Sequence, residues 1–381
     1  MAIRKAVTEL PKAVQRVIPS VRHHSTHQEK AIQIAARMPV QRVVTQFTLQ
    51  CAIRHLRSAD QTVGRQVTST LVAAGMKVTK PLWKGLFYAG ESVSDLHKAA
   101  QFYRDHKVGI IFQGAREASY TQKECVKAAQ EYIDAIKSAK SGDLIAVKPT
   151  ALILTDDIIK MSKGESLDPK NPQLALAIQV VTEAKQKGIR ILWDAEGAQI
   201  QDTINHVGWT LQSVANQDGP CVYNTYQIHK GNTPVQEGIA LAKAGGYCHA
   251  GKYVKGAYDY KLPNVQAAFD AYQQWAETLP NTPESAAIFG THNPVHVETL
   301  IKREIPFGTL MGFSTNLALQ YAGPTTDGFK SNVAIFYGDK KCADLFFGRR
   351  AEEVLDMHPV RAADQYTFWK AAAQTLLRGR P

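Results

Sequence analysis

Leu144-Ile145-Ala146-Val147-Lys148 is a short apolar run, and Ile189-Arg190-Ile191-Leu192-Trp193-Asp194 is a second one. Between them, Leu174–Lys187 repeats apolar residues at three- and four-residue intervals, the mark of one helical face. Gly188 follows it, where a left-handed residue ends a helix most easily. This is a strand, helix, strand unit, and a parallel pair needs such a crossover.

The same alternation extends outward in both directions. Further apolar runs fall at Val108–Phe112, Cys221–Tyr226, Tyr253–Tyr258, Ala286–Thr291, Phe307–Met311 and Asn332–Phe336, giving eight in all. Amphipathic segments at Val126–Lys140, Val265–Leu279 and His296–Arg303 lie between several of them, and Gly142 is read as the stop of the first. Eight such units predict an α/β fold, a TIM-like (β/α)8 barrel of roughly 250 residues. An open doubly wound sheet is the alternative. It calls for a glycine-rich phosphate loop, and neither G-x-G-x-x-G nor G-x-x-x-x-G-K-[ST] occurs.

The 381 residues exceed one barrel, so three regions are expected: 1–28, 29–107 and 108–381. Residues 1–25 hold Arg4, Lys5, Lys12, Arg16 and Arg22 against Glu9 alone, with Ile3, Val7, Leu10, Val14, Val17 and Val21 along one helical stripe. An Arg-rich, acid-poor, amphipathic start is that of a mitochondrial transit peptide. Residues 29–107 have helical periodicity and are expected to form an N-terminal helical arm. The formal charge is +11, without a basic and aromatic module of the kind that binds nucleic acid. An anionic membrane surface is a possible partner for such a charge. The five cysteines include no C-x-x-C pair, so neither a zinc site nor any other metal centre is expected.

Catalytic groups of a barrel sit at the carboxyl ends of its strands. That edge collects Lys148, Asp194 with Glu196, Asn224 to Gln227, Lys255 with Tyr258, Thr291 with His292 and Asn293, and then Arg349-Arg350 with Glu352-Glu353. A guanidinium fork matches a carboxylate bidentately, so the arginine pair near Lys148 suggests a carboxylate substrate. A surface Arg-Arg-Glu helix is the competing reading of that pair. A strand-end lysine such as Lys148 also permits Schiff-base chemistry.

Eight boxes in order then resemble the proline dehydrogenase (proline oxidase) family, over roughly residues 82–357. They are AGES at Gly90, AVKPTAL at Lys148, WDAEGAQ at Asp194, NTYQ ending at Gln227, KYVKGAY from Lys252, GTHNP at Thr291, FGTLMGF from Phe307 and YGDKKCADLFFGRRAEE from Tyr337. The resemblance implies FAD over the carboxyl face of the barrel. It implies hydride loss from the ring carbon beside nitrogen to flavin N5, giving a cyclic imine, with a quinone of the inner mitochondrial membrane as electron acceptor. It further implies that Arg349, Arg350 and Lys148 hold the substrate carboxylate. Glu117 would pair with Arg349, and Glu353 would steady the clamp. Asp194 and Tyr258 would border the substrate, while Gln227, Lys252, Lys255, Gly256, Thr291, His292 and Asn293 would line the flavin and its phosphates.

The ring walls depart from the family pattern. Tyr253 replaces a leucine, Ala334 a tyrosine, Phe336 a proline, Phe346 a tyrosine and Phe347 a leucine, and the first strand ends Phe112-Gln113-Gly114. Proline is therefore one expected substrate. Hydroxyproline, pipecolate or a substituted proline are others, and a catalytically weakened binding or regulatory homologue is a third reading.

Overall fold

Eight parallel strands close into a barrel in chain order, the last pairing with the first. They are β1 Gly109–Gly114, β2 Leu144–Val147, β3 Arg190–Trp193, β4 Val222–Gln227, β5 His249–Val254, β6 Ser285–Gly290, β7 Phe307–Leu310 and β8 Ser331–Tyr337. The computed structural model describes residues 87–338 apart from 115, 117, 162–167, 229–230, 256–264 and 327. The expected transit segment, nearly all of the arm, and Glu117, Gly256, Tyr258, Phe346, Phe347, Arg349, Arg350, Glu352 and Glu353 lie outside the described residues.

Helices cover the outside of the strands: α1 Val93–Asp105, α2 Gln122–Ser138, α3 Ala175–Lys187, α4 Gln201–Ala215, α5 Thr233–Gly245, α6 Val265–Thr278, α7 Pro294–Lys302 and α8 Thr315–Gln320. Their ends follow local chemistry. Ser92 with Asp95 and Thr121 with Glu124 form capping boxes that satisfy the first amides of α1 and α2. Gly188 ends α3 at φ 67°, as read from the sequence. Gly142 is not the cap of α2: that helix stops at Ser138, with an extended Ala139, and Gly142 turns the chain into β2 at φ 84°.

Strand alternation sorts side chains into two layers. Ile111, Leu144, Ala146, Leu192, Tyr223, Ala250, Ile288 and Ala334 fill the barrel interior. Their chain neighbours, such as Ile110, Val147, Ile191 and Val222, pack outward against the helices. The fifth strand begins four residues before the predicted Tyr253–Tyr258 run and ends at Val254. Its first half, His249-Ala250-Gly251, is poor in strand-forming residues, so propensity alone hid it.

The helix α1 falls within the predicted arm, yet it packs on β1 and β8 as part of the barrel wall. Just before it, residues 87–90 run beside the end of β8. Ala89 N–H donates to the Phe336 carbonyl at 2.9 Å, Gly90 bridges to Tyr337, and Gly338 N–H donates to the Gly90 carbonyl at 3.0 Å.

Candidate active site

The carboxyl ends of the strands bring Gln113, Lys148, Asp194, Gln227, Lys252 and Thr291 to one rim above the apolar interior. Lys148 directly follows β2. Its backbone N–H donates to the Tyr132 hydroxyl at 3.1 Å, and its Nζ lies 3.8 Å from Glu196 Oε2. Burial, helped by the neighbouring carboxylates Asp194 and Glu196, pushes the Tyr132 phenol far above its usual range, so it stays protonated. Tyr132 reaches the rim from α2, and nothing in the strand-end pattern points to it.

Asp194 directly follows β3. Its Oδ1 lies 2.5 Å from Lys252 Nζ, and its Oδ2 accepts from Gln113 Nε2 at 3.2 Å. Lys252 is therefore aimed across the mouth because β5 alternates Ala250 and Lys252 inward with His249, Gly251 and Tyr253 outward. Two lysines and two carboxylates thus meet within one buried edge. Such groups are tolerated there because each has an opposite charge beside it.

Amides build the floor of the next sector. Glu196 accepts from the Thr150 hydroxyl at 2.9 Å through Oε1, and its backbone N–H donates to Gln201 Oε1 at 2.7 Å. Gln201 Nε2 donates in turn to Asn205 Oδ1 at 2.9 Å. Gln227, the last residue of β4, donates its Nε2 to the Glu196 carbonyl and to Gln201 Oε1, both at 3.4 Å. Two acceptors on that side fix the amide orientation. Gln227 Oε1 is then left buried with no hydrogen-bond partner among the described residues. An orphaned buried acceptor costs about 1–3 kcal/mol unless a donor arrives.

After β6, Thr291 Oγ1 accepts from Asn293 N–H at 3.1 Å, and Asn293 Oδ1 caps α7 by accepting from Val295 N–H at 2.9 Å. His292 Nε2 accepts from Leu310 N–H at 3.0 Å, which leaves the proton of the neutral ring on Nδ1. The His292 ring lies 5.8 Å from that of Phe313, and Phe313 packs edge-on against Phe87, in the stretch 87–90 that runs beside the end of β8. Lys255 lies just past the end of β5 and is half-buried.

Ala334 faces the interior, paired in register with Ile111 and Leu310. Tyr253 does not reach the rim. It is fully buried on the outer face of β5, stacked on Tyr226 and packed against Trp275 and Phe289. The expectation that it lines the substrate ring is corrected on that ground: side chains one residue apart on a strand point to opposite faces. The sequence reading noted Gln113 only as a departure from the family pattern at the end of the first strand, and it missed Tyr132, Thr150 and Gln201, uncharged residues whose types carry no chemical signal until the fold assembles them.

Fold and rim together define a (β/α)8 barrel with an ionisable mouth at the carboxyl ends of its strands. A proline dehydrogenase family model matches residues 96–354. The chain belongs to the proline dehydrogenase family. It is 24% identical over 218 residues to bovine (Bos taurus) proline dehydrogenase 1, mitochondrial, covering 51% of this chain and 36% of that protein. It is also 24% identical over 225 residues to a Xenopus laevis hydroxyproline dehydrogenase, covering 51% of this chain and 47% of the relative. The chain therefore spans less than half the length of these relatives. Among solved structures, the proline utilization A (PutA) of Bdellovibrio bacteriovorus inactivated by N-propargylglycine superposes with a TM-score of 0.62 at 16% identity, covering 92% of this chain and 41% of that one. A proline utilization A with proline bound in remote sites gives a TM-score of 0.63 at 17% identity, covering 97% of this chain and 44% of that chain. These likenesses match the barrel.

Proposed function

We propose that the protein oxidises L-proline, or a close cyclic amino acid, to the cyclic imine with FAD as cofactor. The observation that carries this reading is the rim itself: Lys148 beside Glu196 and Lys252 beside Asp194, set over an apolar interior within a family of proline dehydrogenases. A carboxylate substrate needs cations, and Lys148 is one at the mouth. Arg349 and Arg350 would complete its clamp, with Glu117 and Glu353 holding the arginines.

The residues present fit FAD. Among the described residues Gln227 Oε1 is a buried acceptor without a donor, and an isoalloxazine ring carries an N–H of the required kind. Gln227, Lys252, Lys255, Gly256, Thr291, His292 and Asn293 would hold it. When bound, FAD supplies the two-electron acceptor for a hydride leaving the carbon beside the ring nitrogen. The chain's own part is positional. Lys148 and the arginines fix the carboxylate end, Tyr258 and the interior wall hold the ring, and Asp194 borders the substrate while neutralising Lys252. The apolar layer below keeps water from the reacting carbon.

A quinone acceptor, a mitochondrial matrix location and peripheral contact with the inner membrane belong to the same reading. They are supported by the mitochondrial names of the relatives and by the basic charge of the chain.

A second reading concerns the ring. Ala334 presents one methyl group to the interior, which leaves room for a substituted or larger ring. Removing a hydroxyl from a wall alters discrimination more than moving a methylene does. The test of both is turnover of proline, hydroxyproline and pipecolate by the FAD-loaded protein with a soluble quinone. Activity on any of them supports the general reaction, and their ranking selects the ring. Turnover of none removes the proposal.

A further inference from the structure

Gln113 is the half-buried, inward-facing residue near the end of β1. Its Nε2 donates to Asp194 Oδ2 at 3.2 Å, while Lys252 Nζ holds Asp194 Oδ1 at 2.5 Å. The Asp194 backbone is tied as well, its N–H donating to the Val147 carbonyl at 2.9 Å. The terminal torsion of a carboxylate is soft, so one partner leaves its plane free to turn. Donors on both oxygens, from strands on different sides of Asp194, fix it.

The chemistry of residue 113 matters. A second carboxylate there would repel Asp194, and an aliphatic side chain would leave Oδ2 without this donor. A lysine would compete with Lys252. A neutral donor holds the plane and leaves the Asp194–Lys252 pair with no net charge. Among the described residues, the other titratable groups around Asp194 are Lys252 from β5, Tyr132 from α2, Glu196 beyond β3 and Lys148 after β2.

We propose that Gln113 is a positioning residue for the reaction, locking the Asp194 carboxylate so that Asp194 and Lys252 act as one neutral, oriented pair at the substrate end of the mouth. The lock rests on geometry alone, and its use in turnover rests on the function proposed above.

Two substitutions in the full-length protein test it. Gln113→Leu removes the donor. Gln113→Glu sets two carboxyl groups about 3 Å apart, which cannot both ionise, so the folded variant keeps a proton that the unfolded chain releases. A carboxyl whose folded pKa is raised stabilises the fold at low pH, and that contribution is lost as pH rises through the raised value. Relative to Gln113→Leu, the thermal midpoint of Gln113→Glu is expected to fall by about 3 °C or more between about pH 5 and pH 7.5. Parallel curves for the two variants overturn the contact.

In the FAD-loaded enzyme, Gln113→Leu is expected to lower kcat about tenfold with little change in KM. A protonated glutamic acid is again a neutral donor, so Gln113→Glu is expected to regain activity as pH falls, against the trend of the other two proteins. Unfolding curves that diverge while the kinetic pH profiles stay parallel overturn the positioning role and leave the contact. A wild-type holoenzyme inert to every cyclic amino acid removes the functional reading, and the positioning role with it, while the unfolding curves still decide the contact.

Discussion

Lys148 Nζ lies 3.8 Å from Glu196 Oε2, close enough for ion pairing but beyond hydrogen-bond reach, and both side chains are only 11% exposed. That geometry suits the role proposed for Lys148, meeting an anionic substrate. Lys148→Met is expected to raise KM for L-proline by roughly 10- to 100-fold, the value of one charge-assisted hydrogen bond, with a smaller effect on kcat. Pyrrolidine, which lacks the carboxylate, serves as the control and should be indifferent. An unchanged KM for proline would show that the substrate carboxylate lies elsewhere.

The outer wall has its own narrow tolerance. Gly238 in α5 lies against the Tyr226 hydroxyl and Trp209, and a Cβ there would come within 2.7 Å of Trp209 Nε1. Trp209 Nε1 donates to the Tyr226 hydroxyl at 2.9 Å, so neither ring can withdraw without breaking that bond. Gly238→Ala is expected to destabilise the fold by about 1–3 kcal/mol, despite alanine's better helix propensity. Chemical denaturation of the two proteins measures it, and a stabilised variant would contradict this packing.

His249 is buried on the outer face of β5, with Nε2 at 3.1 Å from the Tyr226 hydroxyl and Nδ1 at 3.2 Å from Ser285 Oγ. Burial lowers its pKa to about 4. An unfolded histidine titrates near about 6.5, so between these values the unfolded chain binds the extra proton. Stability is therefore full above about pH 6.5 and is lost as pH falls toward about 4, by up to about 3 kcal/mol from this residue. Buried His296, also lowered to about 4 by burial, acts in the same direction. His249→Gln should flatten the acid limb of the thermal midpoint without abolishing it. An acid limb of unchanged slope would contradict the neutral, buried imidazole.

Ala334 offers a direct handle on ring size. A tyrosine at this interior position would occupy space between Ile111 and Leu310. Ala334→Tyr is expected to reduce kcat/KM for pipecolate or substituted prolines about tenfold or more relative to proline. Equal losses for all rings would mean that the wall at this point does not touch the substrate.

Much of this was legible in the chain, for identifiable reasons. The strand at Leu144–Val147 and the helix at Ala175–Lys187 announce themselves because burial on two faces and on one stripe leaves different periods. Lys148 and Asp194 stood out because charge at the end of an apolar run is expensive without a purpose. The fifth strand was misplaced because Gly251 and His249 weaken its signal. Gly251 is there because the Tyr253 ring folds back over it, a tertiary demand that no local pattern records. Tyr253 was assigned to the wrong face because the strand was placed four residues late, so the alternation that points Ala250 and Lys252 inward and Tyr253 outward was not read. Gln113, Gln201 and Gln227 share an amide chemistry that is as common on surfaces as in sites. The resemblance had named Gln227; for Gln113 and Gln201, only convergence on Asp194 and Glu196 separates them.

The most direct measurement is anaerobic: the purified chain is loaded with FAD, and its visible spectrum is followed as L-proline and other cyclic amino acids are added. A yellow protein whose flavin bands bleach with at least one of them is the expected result. A colourless protein that takes up no added FAD, or a bound flavin that stays oxidised with every cyclic amino acid, would contradict the account.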